Sequence, residues 1–141
     1  MVYEYKFKLT KVIDGDSIRG VCDCGFKMSV KVNGRLYGID TEESRTRNQV
    51  TKRYGLLAKD FVKRFFKEGK SFTLESKSLD KYGRTLAVVT NEDGVCLNDE
   101  LVKNHLAVAY HGQNKKEVEA EHMINRGKIN AINGWNDLPH N

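Results

Sequence analysis

Apolar and polar residues alternate from the start of the chain, with Tyr3, Tyr5, Phe7 and Leu9 separated by Glu4, Lys6 and Lys8. This period of two predicts a half-buried strand, which Val12-Ile13 carries into a turn at Asp14-Gly15. Phe26, Met28, Val30 and Val32 alternate with Lys27, Ser29 and Lys31 and predict a further strand, reached through a hairpin turn at Cys22-Asp23-Cys24-Gly25. Asn33-Gly34 signals a hairpin turn or a bulge just ahead of Arg35.

The period then changes. Tyr54, Leu57, Ala58, Phe61, Val62 and Phe65 fall at i, i+3, i+4, i+7, i+8 and i+11, one apolar stripe over three helical turns. Lys59, Asp60, Lys63 and Arg64 form its wet face, and Glu68-Gly69 is the expected stop. Phe72 and Leu74 open a strand whose partner, Leu86–Val89, lies across the turn Asp80–Arg84, and Asn91–Gly94 closes the next turn. A short helix is expected from Asn98, with Leu97, Leu101 and Val102 inward. A third, from Glu117 to Ile132, carries Val118, Met123, Ile124 and Ile132, with Trp135 packing it down. Short strands interrupted by helices in one unit predict a single α+β domain over residues 1–141, built as a small barrel. The five-stranded oligonucleotide-binding (OB-fold) barrel with three helices is the natural candidate.

Composition narrows the partners. The chain has 141 residues, enough for a real core, and 24 Lys and Arg against 19 Asp and Glu leave a formal charge of +5. That excess suits a polyanion, nucleic acid before membrane. No segment approaches the ~20 apolar residues needed to cross a bilayer, and the first residues lack the apolar run of a signal peptide. A soluble, cytoplasmic monomer is the expectation. Three cysteines, an odd number, argue against a disulfide framework. The four histidines lack zinc-motif spacing, Cys22-x-Cys24 is not a redox pair, and His105 is expected at a helix C-terminus.

Candidate chemistry sits in three segments: Asp14-Gly15-Asp16-Ser17, Arg35-Leu36-Tyr37-Gly38-Ile39-Asp40-Thr41-Glu42-Glu43, and Asp80-Lys81-Tyr82-Gly83-Arg84. Each alone has a plainer explanation. Asp-Gly is a common turn, glycine taking a positive φ and Asp bonding its own backbone. Asp40 with Glu43 reads equally as a helix cap, Arg35 as a strand-surface residue, and Asp80–Arg84 as a solvated turn. Together they supply two guanidinium groups around several carboxylates, what a site needs to hold a divalent cation and a phosphate at once. Asp14-Gly15-Asp16 lacks the further ligands of an EF-hand loop.

In this order the three segments resemble those of the staphylococcal nuclease (thermonuclease) family, which reads Asp-Gly-Asp-Thr, Arg-Leu-x-x-(Val/Ile)-Asp-Thr-Pro-Glu and Asp-Lys-Tyr-Gly-Arg. The likeness runs on through the amphipathic helix and Asn98–Tyr110 to Trp135. It implies a Ca²⁺-dependent nuclease acting on single-stranded DNA and RNA at the 5′-oxygen side and leaving 3′-phosphates. Asp16, Asp40 and the Thr41 carbonyl match the metal ligands, with Asp14 as support behind them. Arg35, Glu43 and Arg84 match the catalytic set, Lys81 and Tyr82 the holders of a terminal phosphate, and Tyr110 a residue lying against the nucleotide. The chain departs from the pattern at Glu42 in place of Pro, which offers a second carboxylate for the catalytic role although counting from Arg35 and Asp40 favours Glu43, at Ser17 in place of Thr, and in a longer 22–34 stretch. It also has His111-Gly112 where the best-known members carry a second tyrosine. The contrasting expectation is a catalytically inactive OB-fold nucleic-acid-binding module.

Overall fold

Five strands close into a barrel in the order β1-β2-β3-β6-β5. The computed structural model describes residues 3–67 and 71–133. Its elements run β1 (Tyr3–Asp14), β2 (Ser17–Asp23), β3 (Ser29–Leu36), β4 (Ile39–Thr41), α1 (Gln49–Lys67), β5 (Phe72–Leu79), β6 (Thr85–Asn91), α2 (Leu97–Lys103), β7 (Ala107–Ala109) and α3 (Lys115–Asn133). Strand β1 pairs antiparallel with β2 through its C-terminal half and with β5 through its N-terminal half, which closes one seam. The other is the parallel pairing of β3 with β6 at Gly34–Leu36. Together with three helices this is the α+β OB-type barrel expected. Strands β4 and β7 form a separate two-stranded sheet that the pattern had not marked.

Inward positions of the strands meet the apolar stripe of α1. Phe7, Ile18, Leu36, Leu74 and Val89 are buried in one cluster with Val62, and Tyr54 and Ala58 of the stripe are buried as well. Phe65, Phe66 and Phe72 meet ring to ring at the foot of the helix, with centroids 4.5–5.6 Å apart. The expected helix stop at Glu68-Gly69 and the packing of Trp135 lie outside the described residues.

Some expectations need correction. Phe26 is 98% exposed and Met28 61%, because the chain between β2 and β3 is a tight loop and not a strand. There the Cys24 N–H bonds the Met28 carbonyl, and Phe26 and Lys27 take φ values of 53° and 62°. Asn33-Gly34 is neither turn nor bulge: it lies within β3, in unbroken register with Arg19 and Ile18 of β2. Val102 faces solvent on α2, while Leu97 and Leu101 are fully buried. On α3 the apolar residues Met123, Ile124 and Ile132 are exposed, and His122 and Ile129 are buried instead. That helix is fastened by polar groups: Tyr54 donates its hydroxyl to Asn130, and Asn125 donates to the Ala107 carbonyl. His105 follows α2 with φ 63°, its N–H on the Val102 carbonyl.

Candidate active site

The turn from β1 into β2 delivers Asp14 and Asp16. The Asp14-Gly15 turn is where the sequence put it, but Gly15 does not take the positive φ expected of it. Its glycine is required by proximity: a Cβ would stand 2.6 Å from Ala58 Cβ and 3.0 Å from the Thr41 side chain, so α1 and β4 press directly on the turn.

Arg35, at the end of β3, lies between Ser17 of β2 and Leu86 of β6. Its guanidinium reaches Asp16 Oδ2 at 3.2 Å and Asp40 Oδ1 at 3.3 Å, so both carboxylates converge on one cation. The Thr41 N–H also donates to Asp16 Oδ2, at 3.0 Å. Burial pushes the Asp16 carboxyl above its usual range; Arg35 and the Thr41 N–H pull against that shift, while Asp40 and Asp14 add to it. Among the described residues, Thr41 Oγ1 is buried without a hydrogen-bond partner, a polar orphan close to Gly15.

Asp40 lies in β4, paired with Val108 of β7, so it is not a helix cap. Asp14 accepts from the Ser44 N–H and hydroxyl and pairs with Arg45 at 3.4 Å. Between these anchors the two neighbouring glutamates differ. Glu42 is gripped by Arg126 of α3 through Nε, at 3.1 and 3.0 Å, and through Nη2. Glu43 is exposed, and its carboxylate has no partner among the described residues.

The β5–β6 turn supplies the third segment. Asp80 accepts from the backbone N–H groups of Tyr82 and Arg84 and pairs with Arg84 Nε at 2.7 Å. Burial pushes the Asp80 carboxyl up, but those N–H groups and the Arg84 guanidinium outweigh it and hold the carboxyl below its usual range. Tyr82 stands 72% exposed, with Lys81 Nζ 5.1 Å and the Arg84 guanidinium 5.6 Å from its ring centre. Tyr110, half-exposed, is tied through its N–H to the Gly38 carbonyl.

A single groove of about 1130 Å³ is lined by Arg35, Asp40, Thr41, Glu43, Lys81, Tyr82, Arg84 and Tyr110. Asp14 and Asp16 lie outside its lining. Among the described residues, no three His, Cys, Asp or Glu side chains gather as a metal cradle.

Residues 33–137 match the family model described as "Staphylococcal nuclease homologue". The chain belongs to the staphylococcal nuclease family. It is 36% identical over 107 residues to the thermonuclease of Staphylococcus hyicus, covering 75% of this chain and 60% of that protein. With the thermonuclease of Staphylococcus intermedius it shares 31% over 132 residues, 92% of this chain and 75% of the other. Endonuclease YhcR of Bacillus subtilis (strain 168) is 30% identical over 118 residues, which make up 76% of this chain but 9% of that protein.

This staphylococcal nuclease homologue has two site neighbours that the motifs do not contain. His122 of α3, buried, brings Nε2 to 2.8 Å from Asp40 Oδ2. Arg126, one helical turn on, holds Glu42, donates to Thr51 and lies 5.1 Å over the Tyr54 ring. Helix α3 therefore grips the residues on both sides of Thr41. The sequence signal was their i, i+4 spacing, which marks a shared helix face but not what that face touches. Gly55 was missed as well: a Cβ there would strike the Glu43 carbonyl and stand 2.6 Å from the Ser44 nitrogen. Its missing side chain lets α1 buttress the Glu43 backbone.

Proposed function

We propose that this chain is a calcium-dependent nuclease, hydrolysing phosphodiester bonds of DNA and RNA at the 5′-oxygen side to leave 3′-phosphates. The observation that carries the reading is the shared groove, where Arg35, Glu43 and Arg84 meet Lys81, Tyr82 and Tyr110.

Asp16, Asp40 and the Thr41 carbonyl would hold the calcium. The fit rests on hard oxygen donors, on the raised Asp16 carboxyl, and on Asp16 Oδ1 and Thr41 Oγ1, both without partners among the described residues. Bound calcium supplies a positive charge that draws a non-bridging phosphate oxygen and offsets the charge that builds on it. Glu43, exposed and without a partner among the described residues, takes the proton of the attacking water and orients it. Arg35 and Arg84 bond the phosphate oxygens and stay charged at any working pH. Lys81 and Tyr82 hold the terminal phosphate, and Tyr110 lies against the nucleoside. Glu42 is spoken for by Arg126, so the proton-accepting role falls to Glu43.

One observation favours a second reading, a silent nucleic-acid-binding module: Arg35 already neutralises Asp16 and Asp40. Incubation with single-stranded DNA separates the two. The nuclease degrades it with Ca²⁺ and stops on chelation. Binding without cleavage across Ca²⁺, Mg²⁺ and Mn²⁺ establishes the module instead.

A further inference from the structure

A second groove, of about 1210 Å³, opens between α1, β1 and the loop joining β2 to β3, and it shares no lining residue with the first. Seven lysines stand along its walls, around an apolar floor that includes Phe7, Phe66 and Phe72. Lys59, Lys63 and Lys67 come from α1, Lys6, Lys8 and Lys11 from β1, and Lys27 from the loop. None of the seven has an ion pair among the described residues. The acid in the lining, Asp23, is engaged by the Gly25 N–H at 2.9 Å. On the neighbouring flank of α1, Asp60 is taken by Arg64 at 3.1 Å, so it does not neutralise the lysine row.

The spacing of these charges is regular. Lys59, Lys63 and Lys67 are one turn apart, about 6 Å along the helix axis per step. Lys6 and Lys8, on the outer face of β1, are about 7 Å apart. Lysines at that interval on two walls of one groove suit a chain of phosphates, whose charges also repeat. Next to Lys27 in the chain, though not itself in the lining, is Phe26, 98% exposed, on a loop whose backbone is bent into the left-handed region at Phe26 and Lys27. An outward aromatic beside a cationic track is how single strands are held without reading sequence: phosphates along the lysines, a base on the ring.

We propose that this groove binds the phosphate backbone of single-stranded nucleic acid, as a track separate from the catalytic groove that holds the distal part of a long substrate. The choice of partner rests on the nuclease reading above. Its binding chemistry does not need the catalytic residues.

The test is affinity for a fluorescent single-stranded DNA of about 20 nucleotides, titrated over salt with EDTA present so that no cleavage intervenes. Lys59→Gln/Lys63→Gln, which keeps good helix formers on α1, should weaken binding about tenfold and lower the salt slope by about 1.4. Lys6→Gln/Lys8→Gln should do the same from the opposite wall, and Phe26→Ala should weaken binding about tenfold with no change in slope. Turnover of a dinucleotide, which spans the catalytic groove alone, should be unchanged in all three. Wild-type affinity and slope in both lysine variants overturn the proposal. So does lysine-dependent binding to phosphatidylserine vesicles with none to DNA. If the dinucleotide is never cleaved but the lysine variants lose DNA, the nuclease reading falls and the track stands.

Discussion

A side chain at position 55 would collide with the backbone of Glu43, since an added Cβ meets the Glu43 carbonyl and comes within 2.6 Å of the Ser44 nitrogen. Glycine inside a helix ordinarily costs about 1 kcal/mol against alanine. Here it sets the distance between α1 and the segment that carries the proposed proton acceptor. Gly55→Ala should therefore lose about 1–2 kcal/mol in spite of the better helix former. Displacing Glu43 should also cut kcat by about 10²-fold. Urea unfolding and steady-state kinetics on the same preparation check both halves.

Arg126 and Glu42 tie α3 to the segment after β4, with side chains 16% and 9% exposed. Truncating one partner leaves the other charge largely buried and alone. Arg126→Ala should cost about 3 kcal/mol and release the C-terminal helix. Hydrogen exchange should show protection lost first in α3 and β4, while the barrel strands keep theirs.

Asp16 should set a pH dependence and, as a proposed calcium ligand, a response to metal. Its carboxyl is raised in the folded protein by burial, so ionising it disfavours the fold. Stability from this group is complete below the ordinary carboxylate range and is lost as pH rises through the raised value. Asp16→Asn should thus melt higher than wild type at neutral pH without divalent ions, and the gap should close in acid. Calcium at 100-fold over its Kd should stabilise wild type by about 2.7 kcal/mol and Asp16→Asn scarcely at all. Calorimetry over pH, with and without calcium, reads this out.

Arg84 has two jobs, and they separate experimentally. Against burial, the backbone N–H groups of Arg84 and Tyr82 hold the Asp80 carboxyl low, and the Arg84 guanidinium adds to them, so that contribution to stability is present above the ordinary carboxylate range and is lost as pH falls through the lowered value. Arg84→Ala should move the Asp80 titration upward by NMR. Because Arg84 also grips the phosphate in the proposed mechanism, turnover should fall roughly 10³-fold, by analogy with arginine fingers.

Elements whose stability comes from an apolar face were legible. The stripe of α1 and the alternation of β1 gave both elements and their buried sides, because in each case burial drives the local structure. The same logic failed on α3, whose inward side carries His122, Asn125 and Arg126 while Met123 and Ile124 face water. Hydropathy cannot register a helix docked by hydrogen bonds and an ion pair. It failed again at Phe26 and Met28, apolar residues held outward by a loop. The acids and arginines of the site were visible because each group is contiguous in sequence. Their neighbours were not: His122 lies 82 positions from Asp40, and Arg126 lies 84 from Glu42.

Single-turnover cleavage of single-stranded DNA in saturating Ca²⁺, comparing wild type, Glu43→Gln and Glu42→Gln with analysis of product ends, bears most directly on the proposed chemistry. Wild type should yield 3′-phosphates, Glu43→Gln should fall about 10²–10⁴-fold, and Glu42→Gln should lose stability but keep most of its rate. A folded Glu43→Gln that cuts at the wild-type rate would contradict the assignment.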